Sequence, residues 1–151
     1  MNIRSLLVMT LLALSIGALA ATPTSTSLRA KNAWIRWLPA NLPAAGYVAI
    51  ENDGGAPARL TGASSPDYGR VMLHRSQTVN GVEKMTMVAS MDIPAQGKAA
   101  LAPGGYHLML SEPTHPIKPG DTVRVTLRFA GGLSLQADFP VRPANASGPA
   151  S

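Results

Sequence analysis

The sequence of 151 residues contains no cysteine. This absence excludes disulfide frameworks, cysteine-ligated zinc, iron–sulfur clusters, thiol catalysis and blue-copper centres, each of which needs a cysteine side chain. It also predicts a mature protein with no lipid anchor on an N-terminal cysteine. Charged residues make up only 14% of the chain and aromatic residues only 5%, against 14 glycines and 13 prolines. This composition favours a turn-rich β protein over one built from long helices.

Residues 1–20 have the pattern of a secretory signal peptide. Arg4 provides the positive charge, an apolar stretch follows, and Ala18-Leu19-Ala20 supplies the small residues of a cleavage site. The apolar stretch is short for a membrane span of about 20 residues, so we expect removal of the signal rather than a retained anchor. The mature protein is predicted to begin at Ala21 and to be soluble in the periplasm or an equivalent exported space.

The charge pattern says little about partners. The formal net charge is +5, and removal of Arg4 with the signal lowers it by one. The other basic residues are scattered singly, without a basic run or interleaved aromatic residues, so we do not expect a nucleic-acid surface. The basic balance would suit an acidic docking partner.

The remaining chain is predicted to form one β domain. We expect a linker at 21–29, the domain at 30–142 and a flexible tail at 143–151. No window shows a helical period, which favours an antiparallel Greek-key sandwich or barrel of eight or nine strands. The predicted strands are 33–38, 46–52, 58–63, 71–78, 83–91, 98–101, 106–112, 122–129 and 133–139.

Methionine and histidine are concentrated in one part of the chain. Five of the seven methionines follow the predicted signal, and all five lie between Met72 and Met109 together with two of the three histidines. Asn80-Gly81 is a strong signal for a two-residue hairpin turn, which would place His74 opposite Met87 and Ser76 opposite Met85. Because side chains alternate along a strand, one face of this hairpin would carry both sulfur and imidazole groups.

His107 and Met109 form the second part of the pattern. They are two residues apart on a predicted strand and therefore share a face. If that face meets the hairpin, two imidazoles and two thioethers come together. Thioethers are soft, uncharged donors that suit Cu(I) far better than Mg²⁺ or Ca²⁺.

The spacing of these residues resembles the signature of the exported PCuA(C)-type copper chaperones. That signature is a histidine, ten residues, a methionine, twenty-one residues and then His-x-Met, and this chain matches it without a gap at His74, Met85 and His107-Leu108-Met109. Beyond the signature, the resemblance covers the segments 33–36 and 44–52 and the turn at 118–121. It therefore spans about residues 30–141.

The resemblance implies a cupredoxin-like Greek-key fold that binds one Cu(I) through His74, Met85, His107 and Met109. It also implies delivery of copper toward the CuA centre of cytochrome c oxidase, to an acceptor such as subunit II or a Sco-type protein. Some relatives take Cu(II) on a tail rich in histidine and methionine, but residues 142–151 contain neither. We expect a monomeric carrier rather than an enzyme.

Other interpretations stay open. A single methionine more often fills a core gap than binds a metal. Met87, nearer to His74 in the hairpin register, could replace Met85 as a ligand or pack beside the ligands without binding. His115 lies in a proline-flanked loop and is expected to be exposed. A copper oxygenase would need an N-terminal histidine where Ala21 is predicted, and the alternative function is a metal-free β-sandwich interaction module with a methionine-rich contact patch.

Overall fold

The computed structural model describes residues 27–149, and the predicted signal lies outside this range. The described residues form ten strands and one short 3₁₀ turn, Ala130–Gly132, and include no helix long and apolar enough to cross a bilayer. The strands are β1 (Leu28–Arg36), β2 (Ala44–Asn52), β3 (Ala58–Ser64), β4 (Tyr68–Val79), β5 (Val82–Met87), β6 (Met91–Ile93), β7 (Gly97–Leu101), β8 (Tyr106–Pro113), β9 (Thr122–Phe129) and β10 (Ser134–Arg142).

The strands form two layers around one core. One layer has the order β5-β4-β8-β2-β1, with β7 also paired to β2, and the other has the order β10-β9-β3-β6. A short parallel pairing of β1 with β10 joins the layers at Ile35↔Val141 and Arg36↔Arg142. The largest fully buried side chains are Phe139, Ile35, Ile50, Leu60, Ile93, Leu108, Leu110, Leu127, Val48, Val123, Val125 and Val141.

The predicted fold class, a cupredoxin-like Greek-key β-sandwich, is confirmed, with one strand more than expected. The predicted strand at 83–91 was wrong as a single element, because β5 pairs with β4 in one layer whereas β6 pairs with β3 in the other. The chain passes between the layers at 88–90. Strand β1 begins at Leu28, within the predicted linker at 21–29, because Leu28 pairs with Asn52 of β2.

The hairpin predicted at Asn80-Gly81 is confirmed. Both residues have positive φ, 52° and 77°, as a type I′ turn requires. The β4–β5 register places His74 opposite Met87 and Ser76 opposite Met85, as the turn predicted. The turn chemistry therefore fixes which side chains of β4 and β5 share a face.

Alternation along β8 separates a core face from an outer face. Leu108 and Leu110 are fully buried against the core. His107 and Met109, one residue out of phase with them, lie on the opposite face of the sheet. The candidate metal-binding residues therefore lie outside the sandwich core.

Candidate metal centre

Strand β4 brings the two histidines together. It lies between β5 and β8, and its register with β8 places His74 directly opposite His107 and Met72 opposite Met109. The two imidazole rings meet edge to face with their centroids 5.9 Å apart. The hairpin face and the His-x-Met face thus form one continuous outer surface.

Met85, His107 and Met109 line one cavity of about 410 Å³ on this surface. Ser76 lies opposite Met85 on β4 and lines the same cavity. Because the serine side chain is small, it leaves space for the longer methionine side chain to lie over β4 toward β8. His74 is not among the residues that line the cavity, but its ring lies next to that of His107, which does line it.

His107 is held in one orientation. Its side chain is only 5% exposed, and its Nδ1 lies 3.1 Å from the carbonyl oxygen of Gly105. A carbonyl can only accept, so Nδ1 donates, and in the neutral ring the lone pair resides on Nε2. The same carbonyl accepts a 3.0 Å bond from the backbone N–H of Ser76, which ties the β7–β8 turn to β4. A hydrogen bond from the far ring nitrogen is the usual support of a metal-binding histidine.

His74 has the opposite kind of environment. Its Nδ1 is buried and has no hydrogen-bond partner among the described residues. Burial and the neighbouring His107 lower the pKa of His74 below its ordinary value. The ring therefore favours the neutral form, which is the form that can coordinate a metal.

An aromatic group extends the surface beyond His107. The ring of Tyr47 lies 6.5 Å from that of His107 and 4.7 Å from that of Trp34, between centroids. The guanidinium carbon of Arg36 lies 5.4 Å from both aromatic centroids. Burial raises the pKa of Tyr47 in spite of the nearby Arg36 charge.

The part of the site that sequence reasoning missed is the wall formed by Arg36 and Tyr47. Arg36 and Tyr47 line the same cavity as Met85. Trp34 and Tyr47 pair across β1 and β2, so they share a face. Alternation along β1 and β2 predicts that these side chains share a face. It places them at the site only once the strands that pair with β1 and β2 are known.

The other methionines and His115 lie in different environments. Met87 lies opposite His74 and is 71% exposed, compared with 56% for the candidate ligand Met85. Met91 is buried in the core. His115 lines a larger cavity of about 710 Å³, and its Nε2 lies 2.9 Å from Oδ1 of Asp67. His115 is thus in a different place from the His74–His107 pair.

The donor set defines the chemistry open to this surface. Among residues 27–149, no three His, Cys, Asp or Glu side chains are grouped to hold a metal ion. The surface instead offers two imidazole nitrogens and the thioethers of Met85 and Met109. Such mixed soft donors fit Cu(I) and fit hard cations poorly.

Comparison with solved structures defines the class of fold. The apo PCuAC domain of PmoF2 superposes with a TM-score of 0.65 at 23% identity, covering 83% of this chain and 98% of that domain. Cu(I)-DR1885 from Deinococcus radiodurans gives a TM-score of 0.61 at 30% identity, covering 87% of this chain and 85% of that chain. The fold is therefore that of PCuAC domains.

Sequence comparison identifies the family. The family model of the LpqE-like lipoproteins matches residues 28–141, and the chain belongs to the LpqE-like family. Lxx21020 of Leifsonia xyli subsp. xyli, which carries the name of a lipoprotein, is 34% identical over 133 residues, or 86% of this chain and 80% of that protein.

Proposed function

We propose that this protein is an exported copper carrier that binds one Cu(I) through His74, Met85, His107 and Met109. The observation that carries the proposal is the β4–β8 register, which places His74 opposite His107 while Met85 and Met109 share a cavity with His107. The Cu(I) form of DR1885, a protein of the same fold, supports the choice of ion.

The side chains present suit a carrier more than a catalyst. Met85 is half exposed, and a neutral thioether can leave a metal without a buried charge remaining behind. His107 is buried and oriented by Gly105, so it would hold the ion while the exposed sulfur exchanges. We infer stepwise transfer in which Met85 is displaced first by a ligand of the acceptor.

We further propose that the acceptor belongs to the assembly of the CuA centre of cytochrome c oxidase, as subunit II or a Sco-type protein. The resemblance of the His-x₁₀-Met-x₂₁-His-x-Met signature supports this destination. Export to the periplasm through cleavage after Ala20 belongs to the same proposal, and the lipoprotein name of the relative Lxx21020 agrees with a place in the cell envelope.

X-ray absorption on the mature protein loaded anaerobically with Cu(I) tests the site directly. We expect one copper per chain with both sulfur and nitrogen neighbours. Competition with a Cu(I) chelator then gives the affinity. A chelator that becomes fully loaded in the presence of the protein would overturn the proposal.

A second candidate function is a metal-free interaction module. Its support is the outermost strand β5, where Val82, Met85 and Met87 are 58%, 56% and 71% exposed. Exposed apolar side chains on an edge strand form a contact surface. The same chelator titration separates the two functions, since a metal-free module would withhold no copper.

A further inference from the structure

Two arginines lie side by side at the junction of the two layers. Arg36 and Arg142 are direct partners in the parallel β1–β10 pairing. Their neighbours Ile35 and Val141 both point into the core, so the two arginine side chains project together from the outer face. Both arginines are partly buried. Two adjacent positive charges repel each other, and an anion held between them would offset that repulsion.

Neither arginine has an acidic partner in the described chain. The ion pairs found within residues 27–149 involve other basic residues, such as Arg124 with Asp138. Arg36 uses Nε for a bond to the carbonyl of Ala146. Nε of Arg142 is buried and has no hydrogen-bond partner within residues 27–149. A buried guanidinium N–H without an acceptor is costly, so the protein itself leaves the Arg142 guanidinium incompletely satisfied.

The pair is continuous with the candidate metal centre. Arg36 lines the same cavity as Met85, His107 and Met109. Its guanidinium is held against the rings of Trp34 and Tyr47, which restricts its position. Glu83, on β5, lines the cavity as well and forms no ion pair with Arg36.

We propose that Arg36 and Arg142 form an anion-binding site that receives an aspartate or glutamate side chain of the copper acceptor. The planar fork of a guanidinium matches a carboxylate, and the positive net charge of the chain would favour an acidic partner. A carboxylate held here would place adjacent acceptor groups at the cavity. This inference rests on the proposed copper transfer, but anion binding itself does not require copper.

The first experiment uses the copper-free protein, so that it does not depend on the proposed function. Two synthetic peptides with the same histidine and methionine residues are compared, one with two aspartates and one with two asparagines in their place. Nuclear magnetic resonance of the arginine Nε–H groups follows each titration. We expect the Arg36 and Arg142 signals to shift with the aspartate peptide, and high salt to reverse the shift.

The second experiment measures Cu(I) transfer from the loaded protein to the same peptides. We expect Cu(I) transfer to the aspartate peptide to be about fivefold faster than transfer to the asparagine peptide. This ratio corresponds to the contribution of one partly exposed ion pair. Arg142→Gln should remove this preference, whereas Arg124→Gln, with the same loss of charge, should retain it. Arg36→Lys tests the fork shape, because it keeps the charge but not the paired donors, and should also lose the preference.

The outcomes are distinguishable. A protein that binds no copper but shifts its Arg36 and Arg142 signals with the aspartate peptide would overturn the carrier function and the acceptor's role while retaining the anion site. Equal transfer to both peptides would overturn the docking role. Shifts with phosphate alone, and none with the aspartate peptide, would identify a site for free anions and contradict the proposal.

Discussion

His74 lies directly opposite His107 on neighbouring antiparallel strands, with the two rings edge to face. The two residues are far apart in the chain but adjacent in the sheet. Only His107 has a hydrogen-bond acceptor for its Nδ1, the carbonyl of Gly105, whereas Nδ1 of His74 is buried without one. The pair thus combines one imidazole held by a hydrogen bond with one whose buried Nδ1 has no hydrogen-bond partner among the described residues.

Removal of a proposed ligand on β8 should weaken Cu(I) binding strongly. We expect His107→Ala and Met109→Ala each to lower Cu(I) affinity by at least about 100-fold, since even loss of a hydrogen-bond partner behind a ligand can cost that much. His115→Ala, on a different cavity, should leave the affinity unchanged. Anaerobic chelator competition measures all three, and wild-type affinity in both site variants would remove the site from consideration.

Met85 and Met87 should behave differently although both lie on β5. Met85 shares the cavity with His107, whereas Met87 lies outside it and is largely exposed. We therefore expect Met85→Ala to lower Cu(I) affinity and the sulfur count in X-ray absorption. Met87→Ala should leave both near wild type. A reversed result would assign the ligand role to Met87.

The hairpin turn should depend on its glycine. Gly81 has φ of 77° and nothing within 4 Å of an added Cβ, so a substitution there acts through backbone strain alone. We expect Gly81→Ala to lower the free energy of unfolding by about 1 kcal/mol. Gly148→Ala, where no positive φ occurs, is the matched control. Urea denaturation compares the two, and equal midpoints would contradict the turn argument.

His115 should make stability depend on pH. Its hydrogen bond to Asp67 raises the pKa of His115 in the folded protein above its ordinary value of 6.5. The contribution to stability is therefore complete below about pH 6.5 and is lost as the pH rises through the raised pKa. The difference in unfolding free energy between wild type and His115→Ala should be larger at about pH 5.5 than at about pH 8.

Asp67 provides the control for this pH effect. In an Asp67→Asn background the largest cause of the raised pKa is absent, while the Pro116 carbonyl and the Asp121 charge remain, so His115→Ala should change the pH profile much less. Chemical denaturation at each pH measures the free energy of unfolding. A pH-independent difference in the wild-type background would show that the pair contributes no linkage.

Local chemistry accounts for what could be predicted from the sequence. Asn80-Gly81 specified the turn, and the turn specified the β4–β5 register. Alternation specified that His107 and Met109 share a face. The contact between the β4–β5 hairpin and the His107–Met109 face depends on the pairing of β4 with β8, which no local sequence pattern encodes. The resemblance of the signature spacing was what predicted that these residues meet.

Long-range pairing accounts for what could not be predicted. The break at 88–90 occurs because β6 joins the other layer, a choice made by the core rather than by local propensity. The wall formed by Arg36 and Tyr47 belongs to β1 and β2, and Arg142 comes from the end of the chain. No local pattern connects those strands to the histidines.

The parallel pairing of β1 and β10 also determines at which end of the domain a surface, label or fusion partner can be attached. Arg36 and Arg142 both end their strands beside the cavity, whereas Leu28 lies at the far end of β1, about 25 Å away for an extended strand of this length. A surface, label or fusion partner joined ahead of Leu28 would leave the candidate metal centre accessible. The same addition placed after Arg142 would crowd the entrance of the cavity lined by Met85, His107 and Met109.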